Sequence, residues 1–289
     1  PASAAGYGHR MTQAWLGDGL VDVESAAAVV SILDRGLTVG DGVFETLKVL
    51  RGVPFAITRH LERLTRSAAA LAIDLPPEHA LREAIAAVIA ANADEVGEVG
   101  RLRLTVTHGP GVLGDPYGDG GAPTVFATVV PQHPWAPTAS VARSPYRRNE
   151  HSALTGVKST SYAENAIALR LAKAAGADEA LLLNTAGQVC EGTGSNIFLV
   201  LDGRLVTPDL ASGCLDGVTR QLVVQWCGAA EVSVSAEALD TCEEAFLTSS
   251  TRDVHPIEML GDRRVPAPGP VTAAARATWR AHEAADLDP

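Results

Sequence analysis

Lysine is nearly absent from this sequence: Lys48, Lys158 and Lys173 stand against 20 arginines in 289 residues. Any chemistry that needs an amine nucleophile therefore has three candidates. Cysteine is scarce as well. Cys190, Cys214, Cys227 and Cys242 lie 24, 13 and 15 residues apart, form no CxxC pair and have no histidine cluster beside them. That spacing argues against a metal site or a disulfide framework and predicts buried free thiols in a reducing compartment, hence a cytoplasmic protein with no bound metal. Basic residues are outnumbered 23 to 34, a formal charge of −11. So acidic a chain repels a phosphate backbone, and nucleic acid is not an expected partner. No stretch approaches the roughly 20 uninterrupted apolar residues of a membrane helix, so a membrane partner is not expected either. Residues 1–10 lack a charged region followed by an apolar one. They read as an added or disordered stretch rather than a signal peptide, with Met11 as the native start.

What is present is ordinary for a globular protein, with 46% hydrophobic and 20% charged residues. The length suits one large domain or two modest ones. Trp15 to Val21 reads as strand, turn and strand, and Val43 to Leu50 as a strand returning through Val53 to Ile57. Thr58 is placed to cap a helix with an apolar stripe of Leu61, Leu64, Ala68, Leu71 and Ala72, and 78–91 forms a second helix. Arg101 to Thr107 alternates, with Leu102, Leu104 and Val106 on one face and Arg101, Arg103, Thr105 and Thr107 on the other. A strand over Pro123 to Val130 runs into Pro131–Pro137, which holds three prolines in seven residues. The expected division is an N-terminal domain over 11–130, a linker over 131–139 and a C-terminal domain over 140–289. In the second half, a strand over Val141 to Tyr146 precedes a helix with a Ser161–Glu164 capping box that ends at Gly176. Strands follow at Glu179 to Asn184, in a hairpin over Asn196 to Thr207, and at Ala245 to Leu247. Asp216 is placed to cap a helix carrying Val218, Leu222 and Trp226 and closing near Gly228. Mixed strands and helices with many hairpins predict α+β or α/β domains rather than a doubly wound parallel sheet.

The chemistry concentrates in a few places. Lys173 fits the last turn of a helix, where it complements the dipole, and Lys48 lies inside a strand. Lys158 follows a glycine in a connecting segment just before a helix, where functional residues gather. Glu191 sits on a bend between Cys190 and Asn196 that lacks the G-x-G-x-x-G spacing and leads into a strand, which argues against nucleotide binding. Gly217, Val218 and Thr219 open a helix whose first N–H groups suit an anion. Thr248, Ser249, Ser250 and Thr251 put four hydroxyls in a row, and Arg59 adds a guanidinium at another helix start. Each alone is commonly structural. Together, an amine, a carboxylate and a phosphate cup are what pyridoxal 5'-phosphate (PLP) requires.

Six ordered motifs then resemble one family. They are Arg35-Gly-Leu-Thr-Val-Gly-Asp-Gly-Val-Phe-Glu-Thr46, Arg59-His-Leu-Glu-Arg-Leu64, Lys158 before a helix, Glu191-Gly-Thr-Gly-Ser-Asn-Ile-Phe198, Gly217-Val-Thr-Arg220, and Thr248-Ser-Ser-Thr-Arg-Asp-Val254 with Pro256-Ile257. The chain resembles the fold-type IV PLP enzymes, which include branched-chain aminotransferases, D-amino acid aminotransferases and 4-amino-4-deoxychorismate lyases. The resemblance implies two α/β domains with PLP between them, the D-amino acid aminotransferase-like fold, and a homodimer. It implies that Lys158 is the Schiff-base lysine and proton shuttle, with Glu191 the partner of the pyridine nitrogen. Arg59, the Val218 and Thr219 amides and Ser250 are implied to hold the phosphate, with Ser249 and Thr251 as neighbours. Tyr162 is implied to bond the phenolic oxygen, although one residue fewer separates it from the lysine than in the branched-chain enzymes.

Three features bear on the substrate, expected to be a small molecule carrying an amine and carboxylates. Thr46 follows Glu45 where branched-chain enzymes have glycine. The loop Thr107–Leu113 lacks the Arg-x-His pair that traps the substrate carboxylate in D-amino acid aminotransferases. Arg103 lies near a position where branched-chain enzymes carry an arginine, and Lys158–Asn165 resembles lyase sequences most. The resemblance therefore implies an aminodeoxychorismate lyase that eliminates pyruvate to give 4-aminobenzoate in folate biosynthesis. A class IV aminotransferase using 2-oxoglutarate is the alternative, and a non-catalytic PLP-fold binding protein is a third. Joint presence of Lys158 and Glu191 argues against that last reading.

Overall fold

The computed structural model describes residues 11–112, 114 and 121–289. The expected N-terminal stretch 1–10 and Leu113 of the substrate loop lie outside the described residues. The chain forms two compact units. One runs up to His133 and adds Val157–Ser161 and Leu287–Pro289; the other is Pro134–Gly156 with Tyr162–Asp286. The break thus falls inside the proline-rich stretch. The expected boundaries differ in one functional respect: the lysine segment, read with the second half, packs in the first unit. Its backbone is the reason. Phe44 N donates to Lys158 O at 3.0 Å and Thr160 N to Gly42 O at 2.8 Å, so the segment pairs antiparallel beside the start of the strand at Gly42.

The first unit contains β1 (Gln13–Leu16), β2 (Gly19–Asp22), α1 (Arg35–Thr38), β3 (Gly42–Leu50), β4 (Val53–Pro54), α2 (Ile57–Ala70), α3 (Glu78–Ala91), α4 (Ala93–Val96), β5 (Val99–Thr107) and β6 (Thr124–Pro131). The strands make one antiparallel sheet in the order β2-β1-β6-β5-β3-β4. Val43, Leu47 and Val49 of β3, Leu102, Leu104 and Val106 of β5, and Val125, Ala127 and Val129 of β6 form one buried cluster with Leu61, Leu64 and Ala68 of α2 and Leu81, Ile85 and Val88 of α3. Each fully buried leucine or valine contributes about 1.5–3 kcal/mol, so this single-faced alternation is what fixes the register. On the opposite face of β5, Arg101 and Arg103 are exposed as read, whereas Thr105 and Thr107 are buried.

Three local expectations are corrected here. The return strand after β3 stops at Pro54, which has no N–H to continue a ladder. Thr58 does not cap α2: the cap is Ala56 in a left-handed conformation, and Thr58 N donates instead to Asp288 Oδ1 at 2.9 Å. Ala72 lies beyond the helix end, exposed at φ 53°.

The second unit contains β7 (Ala139–Arg148), α5 (Ala163–Ala174), β8 (Glu179–Asn184), β9 (Val189–Gly192), β10 (Asn196–Leu201), β11 (Arg204–Pro208), α6 (Val218–Cys227), β12 (Ala230–Val232), α7 (Ala238–Thr241), β13 (Glu244–Ser249), β14 (Asp253–Leu260), β15 (Arg263–Arg264) and α8 (Pro270–Ala285). Its sheet runs β12-β11-β10-β13-β14-β7-β8-β9, with β15 beside β14. The pairs β11/β12, β14/β7 and β7/β8 are parallel and the others antiparallel. The Asn196-to-Thr207 hairpin and the Glu179 strand form where the sequence pattern put them.

Both expected caps in this half fail. The α5 cap is Tyr162, with no side-chain bond to the helix. Ser161 Oγ donates to Gly40 O within the first unit, and Glu164 lies 3.5 Å from Arg148 within the second. The α6 cap is Gly217, and Asp216 accepts from Gln221 Nε2 at 2.7 Å instead. The terminal helix α8 buries Thr272, Ala275 and Trp279. A distant carboxylate starts it: Glu244 accepts from Val271 N at 3.0 Å and Thr272 N at 2.7 Å. Among the described residues no helix is long and apolar enough to cross a membrane.

Candidate active site

In the first unit Lys158 is half-buried, and its backbone is tied down on two sides. Its carbonyl accepts from Phe44 N, and its own N–H donates to Ser67 Oγ of α2 at 3.2 Å. The ammonium lies 4.4 Å from the centroid of the Phe44 ring. The Arg103 guanidinium lies 3.7 Å from the same centroid. Thr46 is directly across from Arg103 in the β3/β5 register. Strand alternation puts Phe44 and Thr46 on the face that carries Arg101 and Arg103. An anionic group approaching the lysine here meets a second cation on one aromatic platform. Lys48 is buried beside Phe55, and Lys173 pairs with Asp178 at 3.4 Å. Lys48 shares the strand face of Phe44 but packs on the Phe55 ring, 5.7 Å from its centroid.

Beneath β3 lies a charge cluster that the sequence did not signal. Glu45, wholly buried, accepts from Arg63 Nε at 2.8 Å and from Arg63 Nη2 at 2.6 Å, and its Oε2 lies 2.6 Å from His60 Nδ1. Burial by itself would raise the Glu45 carboxyl, but Arg63 and then His60 pull it down to about 2. Burial, Arg63 and the Lys158 charge lower His60 against the pull of Glu45, which favours the neutral ring. Arg59, the expected phosphate arginine, donates its Nε to Pro289 O at 2.7 Å. Arg63 stands one turn further along α2, and Ser67, which holds the lysine backbone, one turn beyond that.

The second unit assembles the remaining expected residues. Glu191, on β9, is buried; its Oε1 accepts from Arg148 Nη2 at 3.2 Å and its Oε2 from Leu215 N at 2.9 Å. Arg148 also donates to Asn165 Oδ1 at 2.9 Å, and Asn165 Nδ2 donates to Thr193 O at 2.7 Å. Tyr162 donates its hydroxyl to that same carbonyl. Burial raises the Tyr162 phenol, and the Glu191 and Glu179 charges add to the effect, so it stays protonated and able to donate. Asn196 Nδ2 donates to Leu215 O at 2.8 Å, which sets the approach to α6 beside Glu191. Gly217 is needed there, since a Cβ would fall 2.1 Å from Asn196 Oδ1. In the adjoining strands Asn196 stands opposite Thr248, so Ser249, Ser250 and Thr251 continue from the same neighbourhood. Arg148, Asn165 and Leu215 were not identified as site residues beforehand. Asn165 lay in the run noted after the lysine; Arg148 had no local signal.

Two features of this half suit a bound anion. The cap of α6 offers no side-chain acceptor, so the Val218 and Thr219 amides keep free N–H groups. Thr248 Oγ1 is buried without a partner. A buried carboxylate, a donor phenol, uncapped amides and neighbouring hydroxyls are the donor set that a phosphorylated pyridine needs. The four cysteines are free, and burial pushes the Cys190 and Cys214 thiols up, which leaves them poor nucleophiles.

Known proteins carry the same architecture. The amino-transferase class IV family model matches residues 42–260. A Methanocaldococcus jannaschii protein provisionally named a branched-chain-amino-acid aminotransferase is 36% identical over 253 residues, covering 83% of this chain and 86% of its own. The aminodeoxychorismate lyase of Bacillus subtilis is 31% identical over 251 residues, covering 82% and 84%. Among solved structures, the branched-chain aminotransferase of the thermophilic archaeon Thermoproteus uzoniensis with norvaline superposes with a TM-score of 0.84 at 31% identity, covering 93% of each chain. Another branched-chain amino acid aminotransferase, solved with pyridoxamine 5'-phosphate, superposes with a TM-score of 0.87 at 26% identity, covering 97% and 96%. The chain belongs to the class IV aminotransferase family, with the fold-type IV α+β architecture. The family's cofactor is PLP.

Proposed function

We propose that this chain is a PLP-dependent 4-amino-4-deoxychorismate lyase, releasing pyruvate and 4-aminobenzoate from aminodeoxychorismate. The carrying observation is the pair of cations, Lys158 and Arg103, on the Phe44 ring with Thr46 opposite the arginine. An amine substrate bearing two carboxylates suits that arrangement, because its amine reaches the lysine while a carboxylate meets the guanidinium. Arg101 on the same strand face adds a further cation.

PLP, when bound, supplies an electrophilic carbon and a sink for electrons. Lys158 would hold it covalently, and its neutral amine would be the base for the proton on the substrate carbon bearing nitrogen. Glu191 would hold the pyridine nitrogen protonated, and the Tyr162 hydroxyl would turn from the Thr193 carbonyl to donate to the phenolic oxygen. The Val218 and Thr219 amides and Ser250 would bind the phosphate, with Ser249 and Thr251 beside them. The guanidinium of this cup is better assigned to Arg63 than to Arg59. Arg63 shares a helix face with Ser67, which holds the lysine backbone, whereas Arg59 engages the Pro289 carbonyl. Aromatisation of the ring expels the enolpyruvyl group, so the reaction needs no keto acid.

A homodimer accompanies this reading, supported by an apolar surface in the first unit: Val29, Ile32, Leu37 and Val39 are each more than 60% exposed. Buried free thiols support a cytoplasmic location. The identity to the Methanocaldococcus jannaschii relative favours a second reading, transamination of a branched-chain amino acid with 2-oxoglutarate. One assay separates the two. The lyase releases equimolar pyruvate and 4-aminobenzoate from aminodeoxychorismate with no keto acid present. The transaminase makes glutamate only when donor and 2-oxoglutarate are both supplied.

A further inference from the structure

Glu179 opens β8, is 2% exposed and has no role in the chemistry above. Its carboxylate nonetheless collects four hydrogen bonds and an arginine. Oε1 accepts from the Thr193 hydroxyl, from Thr193 N at 3.1 Å and from Ala180 N at 3.1 Å. Oε2 accepts from Ser195 Oγ at 3.2 Å and lies 3.5 Å from Arg252 Nη2, whose side chain is 6% exposed. Apart from Ala180 N of the same strand, the groups it holds belong to two segments. Thr193 and Ser195 form the bend that follows Glu191, and Arg252 belongs to the turn that follows Ser249, Ser250 and Thr251. The bend is closed tightly on the carboxylate. Gly192 N donates to Ser195 O at 2.7 Å, and a Cβ at Gly192 would fall 2.4 Å from Ser195 Oγ and 3.1 Å from Glu179 Cγ. The carbonyl of Thr193, fixed by this grip, is the acceptor shared by Tyr162 and Asn165.

We infer that Glu179 is a positioning residue that sets the distance between the ring-nitrogen carboxylate and the phosphate hydroxyls. Resting on the PLP reading above, this assigns it no contact with cofactor or substrate. One carboxylate bonded to both segments makes them move as a unit, so the spacing between Glu191 and Ser250 is fixed before PLP arrives. A buried acid serves here better than an amide. It accepts from four donors and balances the Arg252 charge, whereas glutamine has one acceptor oxygen and would set an N–H₂ against donors.

The test uses the full-length holoenzyme and Glu179→Gln, with Glu244→Gln as a control. Glu244 is another buried carboxylate of the same unit, and it caps α8 instead. Glu179→Gln should raise the PLP dissociation constant about tenfold, the size of one charge-assisted hydrogen bond, and should reduce the circular dichroism induced in the PLP band. Glu244→Gln should lower the melting temperature while leaving both PLP readouts at wild-type values. If Glu179→Gln fails to fold, Ser195→Ala and Arg252→Gln cut the two arms separately. Each should raise the dissociation constant about threefold, and the double variant should fall well short of the product of the two. Wild-type PLP affinity and dichroism in Glu179→Gln would overturn the inference, as would independent, multiplicative effects of the two arms. A wild-type protein that binds no PLP and shows no visible band would instead overturn the PLP reading itself.

Discussion

Arg63 holds Glu45 through both nitrogens of one edge, Nε to Oε1 at 2.8 Å and Nη2 to Oε2 at 2.6 Å, with both side chains almost wholly out of solvent. The pair joins α2 to β3 beneath the strand that carries Phe44 and Thr46. Removing either partner leaves a buried charge uncompensated, a loss of about 3 kcal/mol or more.

That pair predicts the acid limb of stability. The Glu45 carboxyl sits near 2 in the folded chain against an ordinary 4.5, so its contribution is complete above about pH 4.5 and fades as pH falls toward 2. His60 acts in the same direction from a higher starting point. Its folded value is lowered from 6.5, so the unfolded chain takes the proton more readily and stability declines as pH drops below 6.5. Glu45→Gln should melt lower than wild type at pH 7 and show a flatter dependence between pH 4.5 and 2. Thermal melts across that range check it, and parallel curves for the two proteins would contradict it.

Lys158→Ala should abolish the visible band of lysine-bound PLP and its trapping by borohydride. Lys48→Ala and Lys173→Ala should keep both. Lys173 lies against Asp178 on a helix end, and Lys48 packs on Phe55, so neither competes for the cofactor. A trappable band in Lys158→Ala would dismiss the assignment.

Glu191→Gln should retain PLP and lose most turnover. Its carboxylate is already held by the Arg148 guanidinium and the Leu215 amide, so the amide replacement keeps a partner and the bend keeps its shape. What goes is the charge opposite the ring nitrogen, a loss on the order of 3 kcal/mol in the barrier by comparison with other buried electrostatic groups. Single-turnover kinetics with PLP saturation measured alongside distinguish this from loss of the cofactor.

Much of this was legible before the structure, and the failures share a physical cause. Strict alternation in Arg101–Thr107 found β5, and the Glu179 and Asn196 strands were recognisable from apolar runs bounded by turn residues. Motifs contiguous in sequence, such as Glu191–Asn196 and Gly217–Thr219, announced themselves. The capping predictions for Thr58, Ser161 and Asp216 failed because local pattern weighs neighbours a few residues away, whereas the first two find their real partners far along the chain. Asp288 reaches Thr58 across 230 residues, and Gly40 takes Ser161 across 121. Glu45 and Arg63 were in view as letters within family motifs, yet their pairing requires β3 and α2 to be packed together. Glu179 looked like the first residue of a strand because nothing in its surroundings reveals that four hydrogen-bond donors and an arginine converge on it.

The choice of arginine in the phosphate cup gives a sharper test than either substitution alone. Arg63→Ala should raise the PLP dissociation constant about tenfold or more, since a guanidinium contact contributes roughly 1.5–3 kcal/mol. Arg59→Ala should change it far less, because that side chain is engaged by the Pro289 carbonyl. Arg63→Ala also frees Glu45, so the comparison belongs with a melting curve, and Arg63→Lys separates charge from bidentate geometry. Equal effects at both positions would return Arg59 to the cup.

In the lyase reading, Arg103 would set what kind of substrate the lysine meets. Its guanidinium stacks on Phe44 and stands across from Thr46, at a site where a carboxylate remote from the reacting carbon would bind. Such a contact is made about equally in the ground and transition states, so Arg103→Ala should raise KM for aminodeoxychorismate about tenfold with kcat little changed. Arg101→Ala, whose exposed guanidinium bonds Gln132 at 2.8 Å, should have a smaller effect. Steady-state release of pyruvate, followed without any keto acid, reads both parameters. A fall in kcat at constant KM would move Arg103 from substrate binding to the chemical step. If no pyruvate is released, and glutamate is formed only from a branched-chain donor with 2-oxoglutarate, the lyase reading gives way to transamination, with Arg103 then holding the single carboxylate of an amino acid.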